Sequence, residues 1–229
     1  MCSQTAHLFD IPEEIYAIII SNLGIKQLMQ IHLTCKLLMS ITKKIKWYHV
    51  TICINNLKTI LHLAEHYNFL IFDLSRLNIS NKSLELFKNC HTVNLSECSR
   101  IYDDGLKYLT KCKNINISHC NRITDDGLMY LSNCDIINIS HNYNITNYGL
   151  KYLVNCKTIE MMNCRKITDD GLKYLANCEN INLSLNNNIS QNGLKKLIKC
   201  QHLIVWWCQK ITIDDLKIFN FKIESQYLD

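Results

Sequence analysis

Residues 112–133 read CKNINISHCNRITDDGLMYLSN, and this pattern of 22 residues decides the fold of the chain. Cysteine recurs at its first position, at Cys90, Cys112, Cys134, Cys156, Cys178 and Cys200. Glycine keeps the same interval at Gly105, Gly127, Gly149, Gly171 and Gly193. A period this regular predicts a solenoid of stacked units, each burying its apolar face against the next. We therefore expect a surface for binding, with no catalytic residues on the chain.

Each copy of the pattern predicts one strand and one short helix. The alternation in Ile115-Asn116-Ile117 is typical of a strand with one buried face. Thr124 and the two aspartates after it predict a helix start, because their oxygens can accept bonds from the first free N–H groups. Recurring acidic pairs of this kind are interpreted as helix caps. Gly127 either lets the helix lie close to its neighbour or supplies a turn with positive φ, and the sequence leaves both open.

The repeats divide the chain into four parts. Seven units of 21–22 residues are predicted over residues 69–221. Residues 51–68 are predicted to form a capping unit with a strand at 49–54 and a helix at 57–66. Residues 222–229 form a C-terminal tail, and the residues before the capping unit have no 22-residue period.

Composition excludes several classes of function. The net charge of +5 is too weak to indicate nucleic-acid binding, and no apolar run is long enough to predict a membrane span. The 13 cysteines are predicted to be reduced core residues, because no secretion signal precedes them. We therefore expect a monomer in the cytoplasm or nucleus (the host cytoplasm if the source is viral), not secreted, with no cofactor and no metal.

The repeat resembles the leucine-rich repeat in its cysteine-containing subfamily. The ladder C-x-x-I-x-I-x-x-C followed by I-T-D-D-G-L-x-x-L is clearest at residues 112–131 and 156–175. The resemblance implies an α/β fold, a right-handed solenoid with a parallel sheet on its concave face.

The first residues resemble an F-box, over residues 7–50. Ile11-Pro12-Glu13-Glu14-Ile15, the Cys35-Lys36 pair and the late Trp47 fill the places of that motif. The resemblance implies a three-helix module that binds a Skp adaptor and, through it, a cullin–RING ubiquitin ligase. The residues it assigns to adaptor binding are Ile11, Pro12, Ile15, Ile19, Leu23, Leu28, Ile31, Cys35 and Trp47. The chain would then be the substrate-recognition subunit of an SCF-type ligase, and the competing interpretation is a repeat scaffold or inhibitor without ligase recruitment.

The outward positions of the predicted strands indicate where a target protein binds. They are nearly uniform Asn and Ser in the early units and varied toward the C-terminus. We predict that the target contacts Glu160, Met162, Asn163, Leu185, Ile204, Trp206 and Trp207. For the two tryptophans the alternative is structural: they cap the end of the solenoid or lie under the tail.

Overall fold

One parallel sheet runs through the part of the chain that the computed structural model describes, residues 46–53, 57–66, 68–220 and 222–225. Within those residues its nine strands follow one another in chain order. They are β1 (Lys46–Cys53), β2 (Asn68–Asp73), β3 (Thr92–Asn94), β4 (Asn114–Asn116), β5 (Ile136–Asn138), β6 (Thr158–Glu160), β7 (Asn180–Asn182), β8 (His202–Ile204) and β9 (Lys222–Glu224). This is the open, solenoid-like arrangement that the 22-residue period predicts.

Short helices connect the strands. The α-helices are α1 (Leu57–His66), α2 (Asp103–Leu106), α3 (Asp125–Leu128), α4 (Asn147–Leu150), α5 (Asp169–Leu172), α6 (Gln191–Leu194) and α7 (Ile213–Leu216). A 3₁₀ helix at Lys82–Phe87 joins β2 to β3, and single 3₁₀ turns extend α2 to α5. The predicted helix over residues 57–66 is confirmed as α1.

The core is built from columns of identical positions in successive units. The central residue of every strand from β3 to β8 is buried, and the register places Ile115 beside Ile137 and Ile159 beside Ile181. Leu128 and Leu131 are both fully buried, so the spacing of three correctly predicted the inner helical face. Each unit buries its apolar residues against the unit before and the unit after, which is the main source of stability in such a stack.

Buried cysteines bond the backbone of the preceding unit just after β3, β4, β6 and β8. The ten described cysteines from Cys90 onward are free thiols and buried. Cys120 Sγ donates to Leu95 O at 3.1 Å, and Cys164 Sγ donates to Ile139 O at 3.3 Å, in each case a carbonyl of the preceding unit. Burial raises the pKa of both thiols to about 12, so they remain protonated donors.

Asparagine replaces cysteine in this column at two places. Asn142 Nδ2 donates to Ile117 O at 2.8 Å and to Ile139 O at 3.1 Å, and Asn186 makes the equivalent pair of bonds to Met161 O and Leu183 O. The amide supplies two donors where a thiol supplies one. The same position thus bonds the preceding unit whether it carries a thiol or an amide.

The periodic glycines serve close packing. No described glycine has positive φ. A methyl group at Gly127 would clash with Asp103 Oδ1 of the preceding unit. Of the two alternatives that the sequence left open, the structure therefore selects the close approach between neighbouring units.

Both ends of the sheet differ from the predicted divisions. β1 begins at Lys46, so the predicted boundary between residues 50 and 51 falls inside a strand. Residues 222–224 of the predicted tail form β9, which pairs with β8. In the described part of the chain, no helix is long and apolar enough to cross a membrane. The adaptor residues from Ile11 to Cys35 lie outside the described residues.

Candidate functional site

Most outward-facing residues of the first strands have a structural role. At the end of these strands the side-chain oxygen accepts a bond from the backbone N–H two residues later, as Asn116 Oδ1 does from Ser118 N at 2.9 Å. The same turn is made by Asp73, Asn94, Asn138 and Asn182. The side chain closes the turn that ends the strand, which explains the uniform asparagines of the early units.

Glu160 and Ile204 occupy the same column but do not make this turn. In their units a serine of the preceding unit accepts the turn N–H instead. Met162 N donates to Ser140 Oγ at 3.0 Å, and Trp206 N donates to Ser184 Oγ at 3.1 Å. The side chains of Glu160 and Ile204 therefore do not make the turn-closing hydrogen bond that holds the equivalent asparagines in place.

These serines also correct an expectation from the sequence. The serine column was expected to lie exposed on the sheet, yet Ser118, Ser140 and Ser184 are buried. The large residues that replace serine in the two variant units behave differently: Met162 is half-buried and Trp206 is 39% exposed. The variant units thus present apolar groups where the other units present a covered hydroxyl.

A third column consists of residues with left-handed backbone conformation. Its members are Arg76, Glu97, His119, His141, Asn163, Leu185 and Trp207, with φ between 55° and 62°. Residues with a Cβ adopt this conformation at a cost of about 1–2 kcal/mol each. The sequence had indicated an outward column here but not its conformation, because no glycine marks it.

Polar contacts link the first members of the left-handed column. Arg76 Nη2 lies 2.9 Å from Glu97 Oε1, and the pKa of Glu97 is lowered, first by its hydrogen bond with Arg76. The rings of His119 and His141 stack with their centroids 4.2 Å apart. Asn163 Nδ2 lies 3.2 Å from His141 Nδ1. Among the described residues, no group of three or more His, Cys, Asp or Glu side chains could hold a metal ion.

The predicted target residues lie on β6 to β8 and on the turns that follow these strands. Glu160 and Ile204 flank Asn182, because the register aligns all three. At the turns, Leu185 is 36% exposed and Trp207 is 64% exposed. Trp206 is 39% exposed, so neither tryptophan belongs to the buried core of the last unit. We call the seven predicted residues, Glu160, Met162, Asn163, Leu185, Ile204, Trp206 and Trp207, the variant patch.

The sequence interpretation missed one outward column and one groove. The column lies two residues before the asparagines and includes Thr92, Asn114, Ile136, Thr158, Asn180 and His202. Part of it lines a groove of about 400 Å³ over β2 to β5. The alternation within each strand was the signal that could have revealed this column.

Comparison with known proteins supports the fold assignment. Residues 113–132 match the family model described as Leucine Rich repeat. No curated protein matches the chain. The fold is a leucine-rich-repeat solenoid. It resembles a chain of the Rad7–Elc1 complex from yeast with a TM-score of 0.61, at 10% identity, over 78% of this chain and 53% of that one.

Two further solved structures share this leucine-rich-repeat fold. A chain of the TLR13–ssRNA13 complex has a TM-score of 0.55 at 18% identity, over 78% of this chain and 28% of that chain. Internalin C2 from Listeria monocytogenes has a TM-score of 0.52 at 20% identity, over 62% of this chain and 64% of that chain. This chain therefore spans about half of the yeast chain and less than a third of the TLR13 chain.

Proposed function

We propose that this protein is the substrate-recognition subunit of an SCF-type ubiquitin ligase. Residues 7–50 bind the Skp adaptor and thereby a cullin–RING ligase, and the repeats bind a target protein through the variant patch. The chain itself is non-catalytic and contributes proximity, which raises the effective concentration of a target lysine near the ubiquitin-loaded enzyme. It acts in the cytoplasm or nucleus.

The observation that carries this proposal is the direct continuation of the adaptor motif into the repeats. The motif runs from Ile11-Pro12 through Cys35-Lys36 to Trp47. Trp47 lies in β1, where its backbone pairs with Phe69 of β2. The last residue of the motif is therefore part of the sheet that carries the variant patch, with no linker after it. A connection this short in sequence favours transfer, because it limits the volume that a bound target explores.

The geometry of the repeats supports target binding. Glu160 and Ile204 are not used to close their own turns, and Trp206 and Trp207 are exposed beside them. Exposed aromatic and apolar groups on a rigid sheet are the kind of residues in which binding energy concentrates. The fold also suits this use, since the similar yeast chain was solved in complex with a second protein.

Co-purification with a Skp adaptor tests the proposal. The full chain should retain the adaptor, and the double substitution Ile11→Ala and Pro12→Ala should abolish retention by removing the aliphatic contact. The matched control is Trp206→Ala, which alters the variant patch and should leave adaptor binding unchanged. Retention of the adaptor by the double variant would contradict the proposed contact. Failure of the unaltered chain to bind any adaptor would favour the scaffold or inhibitor interpretation.

A further inference from the structure

A cleft at the edge of the variant patch, which shares Asn163 and Leu185 with it, is lined by a positively charged side chain and amides. It has a volume of about 430 Å³, and its walls are Asn163, Arg165, Leu185, Asn187 and Asn188. We propose that this Arg165 cleft binds a carboxylate from an acidic segment of the target protein. The inference rests on the proposed function in one respect, namely that the repeats hold a protein target.

The guanidinium of Arg165 is held in place before any ligand binds. Its Nε donates to Asn163 Oδ1 at 3.1 Å, and its central carbon lies 5.1 Å from the centre of the Tyr143 ring. Asn163 is itself held, because its Nδ2 donates to the Tyr143 hydroxyl at 3.4 Å. A side chain fixed on both sides loses little conformational freedom when it binds a ligand.

The terminal nitrogens of Arg165 are left for a ligand. None of the ion pairs found among the described residues involves Arg165. Its Nε is the nitrogen bonded to Asn163, so both terminal amino groups remain as donors. A planar pair of donors matches the two oxygens of a carboxylate.

The amides of the cleft supply a further donor and fix the backbone. Asn187 Oδ1 accepts from Gln209 N at 3.2 Å, which leaves the Asn187 amino group as a donor. Asn188 Nδ2 donates to Arg165 O at 2.8 Å and anchors the backbone of the arginine. Leu185 forms an apolar wall that reduces hydration of a bound ion pair. The lining contains no acidic residue.

The surrounding loops favour a negatively charged partner. Seven segments join strand to helix: residues 74–80, 95–101, 117–123, 139–145, 161–167, 183–189 and 205–211. Together they contain six Lys or Arg residues and one acid, Glu97. That acid is paired with Arg76. The acidic residues begin on the first helical turns, where the leading carboxylate, such as Asp103, is bonded to the next unit. An approaching carboxylate therefore meets an excess of positive charge on this edge.

An acidic protein segment fits the cleft better than a single-stranded nucleic acid. Recognition of unpaired bases relies on open aromatic faces for stacking. At this cleft the guanidinium of Arg165 covers the Tyr143 ring, so the available chemistry is hydrogen-bond donation to an anion. A carboxylate flanked by apolar side chains would match both Arg165 and Leu185.

Peptide binding to the full chain tests the Arg165 cleft. The probe is a fluorescein-labelled peptide of alternating Glu and Ala, measured by fluorescence anisotropy at low and at physiological ionic strength. The comparison peptide has Gln in place of every Glu. Arg165→Gln should weaken binding of the Glu peptide about tenfold, since a charge-assisted bidentate pair is lost. Arg165→Lys keeps the positive charge but lacks the paired donors of the guanidinium, so its loss of affinity should be intermediate.

The control variant separates the cleft from net charge. Lys173→Gln removes the same charge from the helical side, where Lys173 lies over Tyr174, and should change affinity less than twofold. Equal losses for Arg165→Gln and Lys173→Gln would overturn the proposal, as would equal binding of the Glu and Gln peptides. Tighter binding of an oligouridine RNA, with the same dependence on Arg165, would also overturn it. Urea unfolding midpoints confirm that each variant is folded.

The outcome is separable from that of the proposed function. Adaptor retention depends on residues 7–50 and is expected to be the same in both Arg165 variants. If the full chain binds the adaptor but does not prefer the Glu peptide, the proposal for the Arg165 cleft is wrong and the proposed receptor function is unaffected. If the chain prefers the Glu peptide but does not bind the adaptor, it binds acidic segments without recruiting a ligase.

Discussion

Asp103 and Thr124 are joined across a repeat boundary by two hydrogen bonds. Asp103 Oδ1 accepts from Thr124 N at 2.8 Å, and Asp103 Oδ2 accepts from the Thr124 hydroxyl at 2.7 Å. The same bridge recurs in the pairs Asp125–Thr146, Asn147–Thr168 and Asp169–Ser190. The leading residue of α2 to α5 thus bonds the residue that precedes the next helix. It is an acid in three of these helices, where the sequence had been interpreted as a cap for the acid's own helix, and it is Asn147 in α4, where the amide donates to the Thr168 hydroxyl. This bridge explains the periodic glycine, because Gly127 lies directly against Asp103 Oδ1.

The substitution Gly127→Ala should destabilise the protein by about 1–3 kcal/mol, because the new methyl group would displace the Asp103 carboxylate from Thr124. Urea unfolding measures the effect. In an Asp103→Ala background, where the carboxylate is absent, the same change should cost less, so the two substitutions should show a positive coupling in a double-mutant cycle. Additive costs would mean that the glycine is required for another reason, such as contact with Leu106.

In the last unit, the residue before the helix bonds a different acceptor. It carries Asp215 in place of the glycine, and the preceding helix begins with Gln191 in place of an acid. Asp215 Oδ2 accepts from both Thr212 N and the Thr212 hydroxyl at 2.8 Å, and the pKa of Asp215 is lowered, first by its bond from the Thr212 backbone. Without an acid from the preceding unit, the acceptor is supplied from within the unit.

We predict that Asp215→Gly lowers stability by about 1 kcal/mol, because the capping box is lost and Thr212 is left without its acceptor. Adding Gln191→Asp to this variant should restore part of the loss by rebuilding the bridge found in the other units. The matched control is Gln191→Asp alone, which should be unfavourable because two carboxylates would then approach Thr212. Thermal unfolding at neutral pH distinguishes these outcomes. A double variant no more stable than Asp215→Gly would show that an acid at position 191 cannot replace Asp215 as the acceptor for Thr212.

The parts of the fold that the sequence predicted depend on local patterns. The alternation at Ile115 and Ile117 fixes the strand, and the apolar periodicity of residues 57–66 fixes α1, because neighbouring residues suffice for both. The bridge from Asp103 to Thr124 was missed because the partner lies 21 residues away. Likewise, nothing within Glu160's own unit indicates that its turn is closed by Ser140 of the preceding unit, since that bond spans 22 residues.

His141, which stacks on His119, should make the stability of the fold depend on pH. The pKa of His141 is lowered from its usual 6.5, first by burial and then by the positive charges of His119 and Arg165. Because the unfolded chain then binds a proton more readily than the folded one, the contribution of His141 is present above about pH 6.5 and is lost as the pH falls toward the folded pKa. Acidification should therefore lower the melting temperature.

We predict that His141→Asn reduces the fall in melting temperature between neutral and mildly acidic pH, because the titrating group is removed. Asparagine is chosen since it tolerates the left-handed conformation at this position. His91→Gln removes an exposed histidine outside this stack and is the matched control. Thermal scans across this pH range provide the measurement, and an unaltered pH profile in His141→Asn would assign the acid sensitivity to other groups.

In the unit of Glu160, Ser140 replaces the residue at position 160 as the acceptor of the turn N–H, and this exchange can be tested by measuring the free energy of unfolding. Ser140 Oγ accepts the Met162 N–H at 3.0 Å, so Ser140→Ala leaves that N–H without its acceptor and should cost about 1–2 kcal/mol. Glu160→Asn should restore the turn seen at Asn116 and give the Met162 N–H a second acceptor. In the Glu160→Asn background, Ser140→Ala should therefore cost clearly less, as measured by urea unfolding.

The matched control for this exchange is Ser118→Ala, because the turn N–H of the following unit, Ser140 N, is already bonded to Asn138 Oδ1 of its own unit. Its cost should be the same with or without Glu160→Asn. If Ser140→Ala is equally costly in both backgrounds, an asparagine at position 160 does not replace Ser140 as the acceptor of the Met162 N–H. That result would contradict the proposed exchange of turn partners. If the cycle shows the expected coupling while Glu160→Asn alone leaves stability unchanged, the glutamate is not needed for folding. Glu160 can then serve target binding without a cost in the free energy of unfolding.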